Sequence, residues 1–197
     1  MVDEGAKSVT GTAEKLVDEA HLLIVSRGYN GFSYADLSER LGIRKASIHH
    51  HFPSKVDLVT AVVERSRRGI RGQIAAVEEG SPGALEQLLA YTGYWRRCIL
   101  EQTAPFCLAG VLAAEMPALP EPVTLAVQGH FRDLRDWAER VLALGVSQGS
   151  IRLRGSAGDE ADVFLATVYG AMLAARAFQD PAKFGVAVDA FLLRIRP

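Results

Sequence analysis

Apolar residues recur along this chain at spacings of three and four, with almost no strict alternation, and that period is the mark of amphipathic helices. Leu16, Val17, Ala20, Leu23 and Ile24 share one face, which predicts a helix from about Thr12 to Arg27, closed by Gly28. Leu37 and Leu41 stripe a second, shorter helix, and Ile48 with Phe52 a third. Leu58, Val59, Val62, Val63, Ile70, Ile74 and Val77 mark a long fourth helix from about Ser54 to Glu79. Gly69 and Gly72 fall inside it, where they cost stability and permit bending. Gly80-Ser81-Pro82-Gly83 is the clearest break in the chain. Beyond it the pattern predicts helices over 84–102, 104–115, 122–148, 159–178 and 181–195, punctuated by Pro117, Pro120, Gly149, Gly155 and Gly158. No sheet signal and no internal repeat is visible, so the expectation is an all-α protein.

Residues 32–55 carry the densest information. Ser33 is placed to cap the second helix and Asp36, three residues on, to close a capping box. Gly42 supplies the left-handed backbone that lets the chain leave one helix and enter another within a few residues. On the third helix Ile48 and Phe52 offer a narrow apolar face, while Arg44, Lys45, Ser47, His49, His50 and His51 fill most of the rest. A short helix this polar is built to show its side chains to a partner, and duplex DNA fits: a recognition helix enters the major groove and reads base edges from its amino-terminal half. Three consecutive histidines on a helix point about a third of a turn apart, so they do not converge on one ion. No metal and no cofactor is expected.

This segment resembles the helix-turn-helix of the TetR/AcrR family of transcriptional regulators, with its capped helix, Leu41-Gly42-Ile43 turn, recognition helix ending before Phe52, and Ser54-Lys55 pair. The resemblance spans residues 12–60 and includes Arg27-Gly28-Tyr29 leading into Gly31-Phe32. His49 stands where the family usually carries Tyr. The resemblance implies an amino-terminal three-helix DNA-binding domain over residues 1–60 and a carboxy-terminal helical effector-binding and dimerisation domain over residues 61–197. It implies that Arg44, Lys45, Ser47, His49 and His50 do most of the base reading. His51, Lys55, Ser33 and Tyr34 are then expected on phosphates, Lys55 at a helix amino terminus that itself attracts anions.

Charge agrees. The chain of 197 residues has a net charge of −1, yet residues 27–72 hold nine bases against four acids, and both flanking segments are acidic. Four of the five histidines lie within the first 51 residues. The amino terminus is acidic and Leu22-Leu23-Ile24-Val25 is too short for a membrane span, so the protein is expected to be cytoplasmic.

The acidic remainder offers two further sets. Ala166, Gly170 and Ala174 make a small-residue stripe at intervals of four, and the next helix supplies Phe184, Val188 and Phe191 as large partners. Either this is internal packing or, as the resemblance implies, a four-helix homodimer interface that pairs two reading heads on a palindromic operator. An aromatic-rich region holds Tyr91, Trp95, Cys98, Phe106, Cys107, His130, Phe131, Trp137 and Tyr169, which suits either plain core or an effector pocket with His130, Glu101 or Arg97 as polar anchors.

Phe106-Cys107-Leu108-Ala109-Gly110 resembles a segment of the NemR-like branch of the family, in which a matching Cys senses electrophiles or oxidants. A helix beginning near Ala104 would put Cys107 in its first turn, which favours thiolate. The competing class is an enzyme using Cys107 with His130 and Glu101 or Asp133, or a helical small-molecule-binding protein without DNA binding. The expected function is a dimeric, ligand- or thiol-responsive DNA-binding regulator, a repressor as most of that family are, and not an enzyme.

Overall fold

A computed structural model describes residues 4–104 and 106–197, with side chains from Gly11 onward. Among them there are nine α-helices, one 3-10 turn and no strand.

The first helix, α1 (Glu4–Arg27), buries Leu16, Val17, Ala20, Leu23 and Ile24, as the spacing requires. Gly28 ends it with φ +75°, donating its N–H to the Ile24 carbonyl at 2.8 Å. In α2 (Tyr34–Leu41) the capping box is complete: Ser33 N donates to Asp36 Oδ2 at 2.8 Å, and the Ser33 side chain accepts from the first turn. Gly42, at φ +64°, then turns the chain into α3 (Lys45–His51). Phe52 is only half-buried and caps α3 rather than belonging to it; Ile48 alone of that pair is fully buried. A second capping pair opens α4 (Lys55–Gly80): Ser54 N donates to Asp57 Oδ2 at 2.9 Å and Asp57 N to Ser54 Oγ at 3.2 Å. α4 runs unbroken through Gly69 and Gly72.

The later helices are α5 (Ala84–Leu100), α6 (Leu108–Ala114), α7 (Glu121–Ser147), α8 (Ala157–Ala177) and α9 (Ala182–Arg194), with a 3-10 turn at Met116–Ala118. α6 therefore starts four residues later than the apolar pattern suggests, and Cys107 lies outside it. Residues 106 and 107 are not helical, and Leu108 opens α6.

The chain groups into two compact units. One comprises Met1–Arg68 with Leu108–Gln128, and the other Gly69–Cys107 with Gly129–Pro197. In the first, α6 packs against α1 beside the helix-turn-helix. In the second, α8 and α9 pack more extensively than any other helix pair. Its core is a relay of rings, Tyr91 to Trp137 at 5.0 Å, Tyr91 to Phe164 at 6.0 Å and Phe164 to Phe191 at 5.4 Å. A buried Glu160 carboxylate takes two hydrogen bonds from the Arg194 guanidinium and pins α9 to the start of α8. Those bonds hold its pKa below the usual carboxylate range. Among the described residues no helix is long and apolar enough to cross a membrane.

Candidate nucleic-acid interface and effector cavity

The exposed face of the helix-turn-helix is built largely from polar side chains of α3 and the residue before it. Arg44, Lys45, His49 and His50 are exposed, and Ser47 and His51 half-buried. Ile48, on the opposite side of α3, is fully buried and anchors the helix. His49 Nδ1 lies 3.2 Å from the Pro53 carbonyl, so that nitrogen carries the proton. The His50 and His51 rings meet edge to face at 5.4 Å.

Three residues expected on phosphates have their polar atoms engaged within the fold, Ser33 while still exposed. The Tyr34 hydroxyl donates to the Phe52 carbonyl at 2.8 Å, and its ring packs against His49 at 4.8 Å, so Tyr34 braces α2 against the end of α3. Burial, then the nearby Asp57 carboxylate, pushes the Tyr34 phenol up to about 12. The Ser33 hydroxyl donates to Asp36 Oδ2 at 2.6 Å. The Lys55 ammonium donates to the Phe32 carbonyl and sits over the Phe32 and Tyr29 rings at 4.2 and 4.8 Å. Burial lowers its pKa. Lys55 thus ties the start of α4 to the corner between α1 and α2.

The residues expected to line one effector pocket divide into two places. Cys107, His130 and Tyr169 converge: Cys107 Sγ is 3.8 Å from His130 Nε2 and 3.5 Å from Tyr169 Oη, and the last two are 3.0 Å apart. Phe131 packs on the Tyr169 ring at 4.9 Å. Cys107 and His130 are almost fully buried, and burial pushes the Tyr169 phenol well above its ordinary value. Asp133, the acid imagined beside them, receives a two-pronged hydrogen bond from Arg71 at 2.8 and 2.9 Å. Glu101 is exposed beyond the end of α5.

Tyr91 and Trp137 instead border a separate cavity of about 430 Å³. Ile70, Gln73, Ile74 and Val77 of α4 form one wall at helical spacing. Ala90, Gly93, Tyr94 and Arg97 of α5 form the facing wall at the same spacing. The α4 residues read in sequence as ordinary stripe. What betrays the cavity is the pair of small residues, Ala90 and Gly93, set opposite them. Trp95, Cys98 and Phe106 are buried but do not line it.

Of the residues expected at a homodimer interface, those on α9 need correction. Ala166 and Gly170 are exposed and Ala174 half-exposed, whereas Phe184, Val188 and Phe191 are buried in the core of their own unit. The apolar residues that share the exposed surface are Val163 and Leu173 of α8 and Val186 and Leu193 of α9.

Comparison with known proteins places these features. Residues 16–62 match the family described as bacterial regulatory proteins, tetR family, and residues 84–191 match the tetracyclin repressor-like C-terminal domain. A TetR-family transcriptional regulator from Agrobacterium tumefaciens is 49% identical, covering 96% of this chain and 100% of that one, with a TM-score of 0.94. The HTH-type transcriptional repressor NemR of Escherichia coli is 25% identical over 84% of each chain. The crystal structure of its reduced form superposes with a TM-score of 0.83 at 24% identity, over 94% of this chain and 97% of that one.

Proposed function

The chain belongs to the TetR family of bacterial regulatory proteins, and from that premise we propose that it is a repressor that binds a palindromic operator as a homodimer and is released by an effector. The single observation that carries the reading is the exposed face of α3, where Arg44, Lys45, His49 and His50 stand clear of the fold while Ile48 anchors the helix.

Arg44 and Lys45, at the amino-terminal end of α3, are suited to guanine O6 and N7, and Ser47, His49 and His50 to neighbouring base edges. His51 faces the backbone. Ser33, Tyr34 and Lys55 act by bracing the head, and their main chain rather than their charge approaches phosphate. One such helix binds weakly; two related by a two-fold axis read a palindrome. The exposed apolar face of Val163, Ala166, Gly170, Leu173, Val186 and Leu193 supports pairing of α8 and α9 with a second copy.

Release follows from α4. Its first half buries Leu58, Val59, Val62 and Val63, and its second half walls the cavity with Ile70, Ile74 and Val77. A ligand seated there shifts a helix that also carries the reading head, and the spacing of two heads ceases to match the operator. The E. coli relative NemR is a transcriptional repressor, which supports the sign of regulation.

A thiol input at Cys107 is the second reading, favoured by its contacts with His130 and Tyr169. Its near-complete burial and its place ahead of α6 oppose ready ionisation.

Selection from a random duplex pool, with reduced protein refolded free of bound small molecules, tests the main reading. Enrichment of a two-fold symmetric site is expected, and Arg44→Ala should relax preference at one symmetric pair of positions by about 1–3 kcal/mol per contact. No enrichment, with the chain folded, sinks the proposal.

A further inference from the structure

The α4–α5 cavity has a chemistry of its own. Its wall is mostly apolar and aromatic, the usual make-up of a small-molecule site. Arg97 is the one charged residue that lines it. The neighbouring arginines are engaged: Arg96 with Asp189, Arg71 with Asp133, Arg140 with Glu78. Arg97 is exposed and has no ion pair among the described residues.

Gln73 and Tyr94 add an amide and a hydroxyl to the wall. Tyr91 Oη and Trp137 Nε1, on two of the lining residues, are buried without good hydrogen-bond geometry to any partner. Neither atom is open to the cavity as it stands, and the Tyr91 hydroxyl also neighbours Trp95 and Cys107, so recognition rests on Arg97 and the aromatic wall. Space is provided by Gly93, where an added Cβ would meet nothing within 4 Å.

We propose that this cavity binds a planar aromatic carboxylate, its rings against Tyr94, Tyr91 and Trp137 and its carboxylate on the Arg97 guanidinium. Guanidinium and carboxylate match as a two-pronged, charge-assisted pair, and flat rings stack on the aromatic wall. The inference rests on the reading of the chain as an effector-controlled regulator and names the class of effector.

The test uses the full chain, refolded to remove trapped ligand, with 2-naphthoate, 2-naphthamide, 2-naphthylmethylammonium and octanoate as probes. Calorimetry gives affinity, and tryptophan fluorescence reports Trp137. Naphthoate is expected to bind one per chain, about tenfold or more tighter than the amide, with the cation and octanoate weaker still. Arg97→Gln should bring the acid down to the affinity of the amide. Gly93→Leu should abolish binding of both while leaving the unfolding midpoint in place.

Equal binding of acid and amide, or unchanged binding by Gly93→Leu, overturns the proposal. So does a preference for octanoate, which would make the site aliphatic. The DNA selection is read apart from these titrations, so failure of the regulator reading leaves naphthoate binding to stand or fall by itself.

Discussion

Glu115, just past the end of α6, accepts a hydrogen bond from the main-chain N–H of Tyr29 at 2.8 Å. Tyr29 follows the glycine that closes α1, and a Cβ on Gly28 would lie 1.8 Å from Glu115 Oε1, so any larger residue there would displace that carboxylate. The positive φ of Gly28 and the carboxylate therefore define one joint between α1 and the segment after α6. Glu115→Ala should leave a part-buried N–H unpaired and lower stability by about 1–3 kcal/mol, read by chemical denaturation. Gly28→Ala should be destabilising as well, through strain at positive φ and the clash together. Wild-type stability in both variants would show that the joint is not closed in solution.

Lys55 separates two roles cleanly. With its ammonium on the Phe32 carbonyl, Lys55→Met should lower the unfolding free energy by about 1 kcal/mol. The slope of log affinity against log salt for duplex DNA should stay at the wild-type value. A slope smaller by about one unit, with stability intact, would return Lys55 to the phosphate contacts.

Pairing of two copies should be most sensitive at Leu173 and Leu193, each more than half exposed on the apolar face of α8 and α9. Leu173→Glu or Leu193→Glu should halve the mass seen by sedimentation without altering helical content. Phe191→Glu, by contrast, should unfold the chain, because Phe191 is buried against Phe164. A Leu193→Glu protein that remains dimeric would move the interface elsewhere.

The five tyrosines give a pH signature. Burial is the leading cause that raises the phenol pKa at Tyr29, Tyr34, Tyr91, Tyr94 and Tyr169, with Tyr34 reaching about 12. An unfolded tyrosine ionises near 10, so above that pH the unfolded chain has lost protons that the folded chain retains. Stability should thus be level below about pH 10 and fall as pH rises beyond it. Tyrosinate absorbance should appear together with loss of helicity. A tyrosinate signal near pH 10 in fully helical protein would contradict the burial.

The helix-turn-helix was legible because its signals are local: Ser33 and Asp36 sit three apart, Gly42 takes the left-handed turn, and Leu37 and Ile48 fall on the buried faces. Side-chain direction was not. Tyr34 and Lys55 look like surface phosphate ligands until Phe52 and Phe32 bring backbone carbonyls within reach, and those contacts span 18 and 23 residues. On α9 the period itself was ambiguous. Phe184, Val188 and Phe191 make one apolar face, and Val186 and Leu193 another, so only packing against α8 decides which is core. The cavity was hidden for a related reason, since an absence opposite a stripe leaves no periodic mark of its own.

The bond between His49 and the Pro53 carbonyl has a consequence for the vocabulary of the reading head. With Nδ1–H committed, the neutral ring offers Nε2 as a lone-pair acceptor, whereas Arg44 and Lys45 bring only donors. In the major groove, amino groups on adenine and cytosine answer an acceptor, and guanine answers a donor. If this helix reads DNA as proposed, its half-site is bilingual: guanine where the cations reach, and an amino-bearing base where His49 does.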